Sequence, residues 1–157
     1  MPTADEQHDM SPGRRAAAIV APFITALVAE LAAYLLLRHG LPDRMATHFG
    51  FNGADSYSPS GSALASYLVV FVIEAVLFLV WALAGDDEDS APGSFRTIVT
   101  LAWAVAMATA YLLYALLQAS TKSADGQDVS VPLHQFFIAL AIGAAIALIG
   151  RFLPRRH

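Results

Sequence analysis

Long apolar runs alternate with short polar ones along this chain. Ala16 to Leu37 carries a single charge, Glu30, and Ser62 to Ala84 carries a single charge, Glu74. Thr97 to Ala119 carries none, and a fourth run extends from Pro132 to about Gly150. At ~1.5 Å of rise per residue each run covers roughly 30 Å, the depth of a bilayer's hydrocarbon core. The pattern predicts an all-α integral membrane protein, a bundle of four transmembrane helices spanning about 16–37, 62–84, 97–119 and 132–150. Residues 1–15 are polar, with Pro2, Pro12 and Gly13, and read as a disordered tail. Pro22 falls inside the first span, where a membrane helix tolerates the kink it introduces.

The connections are unequal. Residues 38–61 form the longest, Gly85 and the acidic run Asp86, Asp87, Glu88 and Asp89 open the second, and residues 122–130 form the third. Arg14 and Arg15 precede the first span, as in a signal peptide. The run that follows is too long for a signal-peptide h-region and no small-residue cleavage site follows it, so the segment reads as retained.

Lys and Arg set the expected orientation. With the N-terminus inside, Arg14, Arg15, Arg96, Arg151, Arg155 and Arg156 fall on the inner side, and Arg38, Arg44 and Lys122 on the outer. That asymmetry puts both termini in the cytoplasm and the loop 38–61 outside. The Asp86–Asp89 run counts little in this rule; it is either a cytoplasmic docking segment or a solvated loop.

Composition narrows the function classes. The chain is 157 residues long, 57% hydrophobic and 14% charged, well above the apolar share and below the charged share of soluble domains. It has no cysteine, which removes disulfides and thiolate metal sites. A net charge of −4 with no basic stripe argues against a nucleic-acid partner.

Polar side chains inside the spans carry the functional leads. Carboxylates at membrane depth are costly and usually face the bundle interior or a wet cavity. Glu30 and Glu74 therefore point inward. Burial disfavours the charged form of a carboxyl, and a protonated Glu can donate a hydrogen bond between helices, so a structural role and a functional one both stand. On the third helix Thr100, Trp103, Met107, Tyr111, Tyr114 and Gln118 fall on one face, which is expected to look into the bundle. In the assigned orientation Glu30, Tyr34, Tyr67, Tyr111, Tyr114, Gln118, His134 and Gln135 gather in the outer half, with Glu74 lower. They suggest a polar pocket open to the outside, sealed below by Ala, Val, Leu and Ile. Ala139, Gly143 and Ala147 form a small-residue ridge on the fourth helix; it suits a neighbouring helix or a second copy of the chain, that is, a homo-oligomer.

In the loop, Pro42 to Thr47 reads as a short helix with Pro42 in its first turn and Gly50 ending it. Asn52-Gly53 is a turn signal, and Ser58 to Ser62 can cap the second helix. Phe49, Phe51 and Tyr57 suit a membrane interface. His48, near Asp43 and Asp55, can titrate around neutrality or take part in binding; without a second His at ligand spacing it makes a weak metal set, and no metal or other cofactor is expected.

Leu41-Pro42, His48, Gly53-Ala-Asp55, Tyr57 and Ser60, placed after a first transmembrane helix, resemble the signature of the bacterial membrane family known as domain of unknown function 1648. That family includes the N-terminal domain of SdpI-type immunity proteins. The resemblance covers about residues 20–75, and Gly61 stands where the family often carries Lys. It implies a multi-pass protein of a bacterial plasma membrane, and by analogy immunity to a secreted peptide toxin or envelope signalling.

Two functions follow as expectations. The first is a binding or immunity module that meets an extracellular peptide or another membrane protein through His48, Asp55 and Tyr57. The second is a small transporter subunit with Glu30 and Glu74 as titrating groups. A membrane enzyme is disfavoured, because no spacing links His48, His134, Glu30 and Glu74 into a nucleophile–base or metal motif.

Overall fold

A computed structural model describes residues 11–50, 53–84, 94–123, 129 and 131–152. Four helices dominate it: α1 (Pro12–Leu37), α2 (Ser60–Ala84), α3 (Ser94–Ser120) and α4 (Leu133–Phe152). All four are long and apolar enough to cross a membrane. They coincide with the four runs read from the sequence, with ends shifted by a few residues.

The largest shift is at the start of α1. The helix begins at Pro12, so Pro12 to Arg15 belong to it and not to a disordered tail. Proline at the first helical position forfeits an N–H that would be unbonded anyway. Ser11 then supplies the first acceptor, its carbonyl taking the amides of Arg14 and Arg15 at 2.9 and 3.2 Å. Pro22 lies buried within the helix beside Phe23. Residues 1–10, the run Asp86–Asp89, and Arg155 and Arg156 lie outside the described residues.

Helix α1 packs on both α2 and α3, and these three make the core. A cluster of Phe23, Ala26, Phe71, Ala102 and Ala106 fills it at mid-depth. Helix α4 packs on α3 alone to any extent. The expected four-helix bundle is thus a three-helix core with a fourth helix laid along one side. The small-residue ridge explains this placement. A Cβ on Gly143 would come 3.3 Å from the Ala104 carbonyl, and one on Gly150 would come 2.2 Å from the Thr100 side chain. Such close backbone approach favours one long helix–helix contact. The ridge is therefore used within the chain, against α3. Large apolar side chains such as Leu36, Leu77, Phe137 and Leu140 cover the outside, a surface suited to lipid.

The long connection is a β-hairpin. After a short 3-10 turn, Arg38–Gly40, strand β1 (Arg44–Gly50) pairs antiparallel with β2 (Gly53–Pro59). The short helix expected over Pro42–Thr47 is not formed. Arg44 pairs with Pro59 and Gly50 with Gly53, and the register slips on either side of His48. The strand prevails because its side chains divide between two environments: Met45 and Ala46 are wholly buried, whereas Arg44 and His48 are exposed. Tertiary burial of this kind overrides local helix signals. The expected Asn52-Gly53 turn and Phe51 involve residues outside those described; Gly53 opens β2. Helix α2 starts at Ser60, inside the Ser58–Ser62 window, directly after Pro59.

Candidate functional site: a hairpin clamped to the helices

The hairpin is tied to the helices at three points. At its base the Ser60 amide donates to the Asp43 carbonyl at 2.9 Å, joining the two ends of the loop. In its middle the buried Tyr67 hydroxyl of α2 donates to the Ala46 carbonyl of β1. Between these, Met45 enters an apolar cluster with Ala63, Tyr67, Leu116, Leu117 and Val129, against which Leu41, Tyr34 and Leu37 pack. Pro42 is also buried. Burying a Met side chain is worth about 1.5–3 kcal/mol, so Met45 is a strong anchor.

On its free side the hairpin carries an ion-pair geometry. His48 Nδ1 lies 2.6 Å from Asp55 Oδ1 across the two strands, with the side chains 68% and 52% exposed. Arg44 donates to the Tyr57 carbonyl at 2.9 Å, and the Tyr57 hydroxyl donates to the Ala54 carbonyl at 3.0 Å. The motif thus has a structural logic: Leu41 and Pro42 pack the base, Gly53 opens β2, His48 meets Asp55, and Tyr57 braces its own strand. Among the described residues no group of three His, Cys, Asp or Glu is placed to hold a metal ion.

Deeper along α1 lies Glu30. It is 2% exposed, and its Oε1 is buried with no hydrogen-bond partner among the described residues. Tyr67 of α2 is likewise buried. Both sit about seven residues from the hairpin end of their helices, roughly 10 Å in.

Glu74 occupies a different place. It lies about twice as deep, roughly 21 Å from the start of α2. It is half-buried; Oε1 accepts a 2.6 Å bond from Thr109 of α3, and Oε2 is buried without a partner. Phe71, between Tyr67 and Glu74 on α2, belongs to the packed apolar cluster with Phe23 and Ala26. The two carboxyls therefore do not share one site.

The polar-aromatic face of α3 also divides. Tyr111 donates to Gln135 Oε1 of α4. Tyr114 and Gln118 are exposed and bond each other at 2.6 Å, and His134 is exposed beside Gln135. Met107 of this face packs against the inner Phe23 cluster, while Tyr111, Tyr114 and Gln118 meet α4 and the surroundings. The inward face of α3 is instead the Ala102, Ala106 and Leu116 side. Sequence reasoning missed Met45, Ala46 and Thr109. Met45 had a usable signal, a lone large apolar residue between polar ones; Thr109 lies off the polar-aromatic face and had none.

No family model matches the chain, and searches of curated proteins and of solved structures return no match.

Proposed function

We propose that this protein is a non-enzymatic binding module of a bacterial plasma membrane, with both termini cytoplasmic and the hairpin outside. It engages an extracellular peptide or another membrane protein, in the manner of an immunity or envelope-signalling protein. The observation that carries this reading is the hairpin itself. It is pinned to the helices by Met45 and by the Tyr67–Ala46 bond, yet displays an exposed His48–Asp55 pair. A pre-ordered loop loses less freedom when it binds. The resemblance of Leu41, Pro42, His48, Gly53, Asp55, Tyr57 and Ser60 to the domain of unknown function 1648 supports the same reading, because those residues build this hairpin.

A test is protection of host cells. Bacteria expressing the protein, or its His48→Ala or Asp55→Asn variant, are challenged with a panel of secreted cationic peptides while membrane potential is followed. The expected result is a higher depolarising dose of at least one peptide for the wild type, lost in both variants at equal protein level. A wild type that shifts no dose sinks the immunity reading. Protection that survives in both variants moves recognition off the hairpin.

The second reading, a small transporter subunit, is favoured by one observation: Glu30 and Glu74 each hold a buried oxygen without a partner. Proton flux into liposomes containing wild type, Glu30→Gln or Glu74→Gln tests it. Flux that vanishes in the variants makes this the better reading, against the barrier that the Phe23–Phe71 cluster presents between the two groups.

A further inference from the structure

Helix α3 meets a different neighbour on each of three sides. Ala102 and Ala106 share a cluster with Phe23 and Ala26 of α1, and Ala104 and Ala108 lie against Gly143 of α4. Positions two apart on a helix point about 200° away from each other. Helices α1 and α4 therefore flank α3 on opposite sides, and they do not pack together to any extent. On a third side Thr109 bonds Glu74 of α2, and Leu116 shares a cluster with Ala63 and Tyr67 of that helix. The side turned away from α2 is a trough with α3 as its floor. Trp103, Met107, Tyr114 and Gln118 follow one another along it at helical spacing. Trp103 and Met107 are half-buried there, and Tyr114 and Gln118 are exposed.

The trough changes character along its length. Toward the hairpin end the Gln118 side-chain amide donates to the Tyr114 hydroxyl at 2.6 Å. That hydroxyl keeps its own proton to donate, and it meets no acceptor among the described residues. Gln135 of α4, which takes the Tyr111 hydroxyl, borders the same end. Helix α3 has 27 residues, roughly 40 Å, which overhangs a ~30 Å hydrocarbon core by about 5 Å at each end. Tyr114 is six residues from the last residue of α3, roughly 9 Å in, so it lies a few Å inside that boundary. A hydroxyl proton without an acceptor is costly at that depth. Trp103 is eleven residues further down, roughly 16 Å, which is about one leaflet's share of the core.

We propose that this trough is a lipid site: it holds one glycerolipid of the leaflet on the hairpin side, with an ester carbonyl accepting the Tyr114 proton and one acyl chain lying along Met107 to Trp103. The class of lipid follows from the groups at the polar end. Tyr114, Gln118 and Gln135 carry no charge, so the site reads the ester linkage and not the charge of the headgroup. An ether-linked lipid of the same chain length fills the trough equally well but brings no carbonyl oxygen to Tyr114. The strip of α3 between α2 and α4 offers a contrast, because it carries Leu101 and Leu112 and has only apolar contact to give. The site requires that the helices cross a bilayer, and it is independent of what the hairpin binds.

Tryptophan quenching tests the site, because the chain has two tryptophans, Trp81 and Trp103. Full-length Trp81→Phe is placed in bilayers of ether-linked phosphatidylcholine, which leaves Trp103 as the reporter. Diacyl phosphatidylcholine brominated near its chain ends is then mixed in at rising mole fraction. The expected result is that Trp103 is quenched as if the ester lipid bound about three- to tenfold more tightly than the ether lipid, the effect of one hydrogen bond. Trp103→Phe leaves Trp81, which is exposed on α2; its quenching should simply follow the mole fraction. Tyr114→Phe, added to Trp81→Phe, removes the donor at an exposed position and should return Trp103 to the mole-fraction line. Phosphatidylglycerol in place of phosphatidylcholine, in both lipids, should leave the preference at Trp103 unchanged. Quenching of Trp103 that follows the mole fraction while Tyr114 is present overturns the site. So does a preference of equal size at Trp81, one that persists unchanged in Tyr114→Phe, or one that follows headgroup charge instead of linkage.

Discussion

Glu30 and Glu74 are each the lone charged residue of an otherwise apolar span, yet the fold holds them in opposite ways. Glu30 is almost wholly buried, and its Oε1 has no hydrogen-bond partner among the described residues. Glu74 is half-exposed on α2 and tied by Thr109. The difference lies in the partners each meets: α3 offers Glu74 the Thr109 hydroxyl, whereas Glu30 Oε1 meets no hydrogen-bond partner among the described residues. Glu30 is an enclosed group; Glu74 is a half-buried group of which one oxygen is bonded by Thr109 and the other is buried without a partner among the described residues.

The hairpin's buried anchor can be removed and the response of each carboxyl compared. Met45→Ala deletes a wholly buried side chain from the cluster that caps α1 and α2. It is expected to cost about 2–4 kcal/mol of stability, read as a lower unfolding midpoint in detergent–denaturant titration. The same variant should raise the reaction of Glu30 with an apolar carbodiimide toward that of Glu74, measured by mass spectrometry of the labelled peptides. If Met45→Ala leaves the midpoint unchanged, Met45 is not an anchor; if Glu30 labelling does not rise, the hairpin does not shield that carboxyl.

The next contrast is between the hydroxyls that serve each region. Tyr67→Phe removes the donor to a buried carbonyl and is expected to destabilise by about 1–3 kcal/mol, the penalty for an orphaned buried acceptor. Thr109→Val removes the donor to Glu74, a half-exposed group that can recover part of its solvation, and is expected to cost about 1 kcal/mol or less. The same midpoint measurement ranks them. A larger loss for Thr109→Val would reverse the comparison and make Glu74 the structurally critical carboxyl.

These relations explain how far the sequence could be read. Span positions follow from length and apolarity, both local, and all four helices appear where those runs lie. The hairpin did not announce itself. Pro42 and Gly50 look like helix punctuation, and the choice of strand over helix rests on Met45 and Ala46 finding a buried surface made by Tyr67, Leu116 and Leu117, residues distant in sequence. The polar-aromatic stripe of α3 misled for a related reason. Amphipathicity shows which residues share a face but not which neighbour meets it, and here Gly143 and Gly150 draw α4 against that side. Of the candidate site, the motif residues of the loop came together as the hairpin, whereas Tyr114, Gln118 and His134 stayed at the surface.

The smallest expected effect sharpens the comparison most, because it separates what holds the hairpin from what the hairpin displays. His48 and Asp55 lie 2.6 Å apart on the exposed side of the hairpin, yet both are more than half exposed. Exposed ion pairs contribute about 0–1 kcal/mol, so His48→Ala, Asp55→Ala and the double variant should each move the unfolding midpoint little, with a coupling of at most about 1 kcal/mol in a double-mutant cycle. Stability and binding should then come apart: peptide protection falls in these variants while the fold persists, and Met45→Ala shows the reverse order of damage, stability first. A coupling well above that range would mean that the pair clamps the hairpin as Met45 does. Its geometry would then serve the fold, and recognition would have to be sought along another part of the hairpin, with Thr47 and Ser56, joined by a 3.4 Å bond, as the next residues to change.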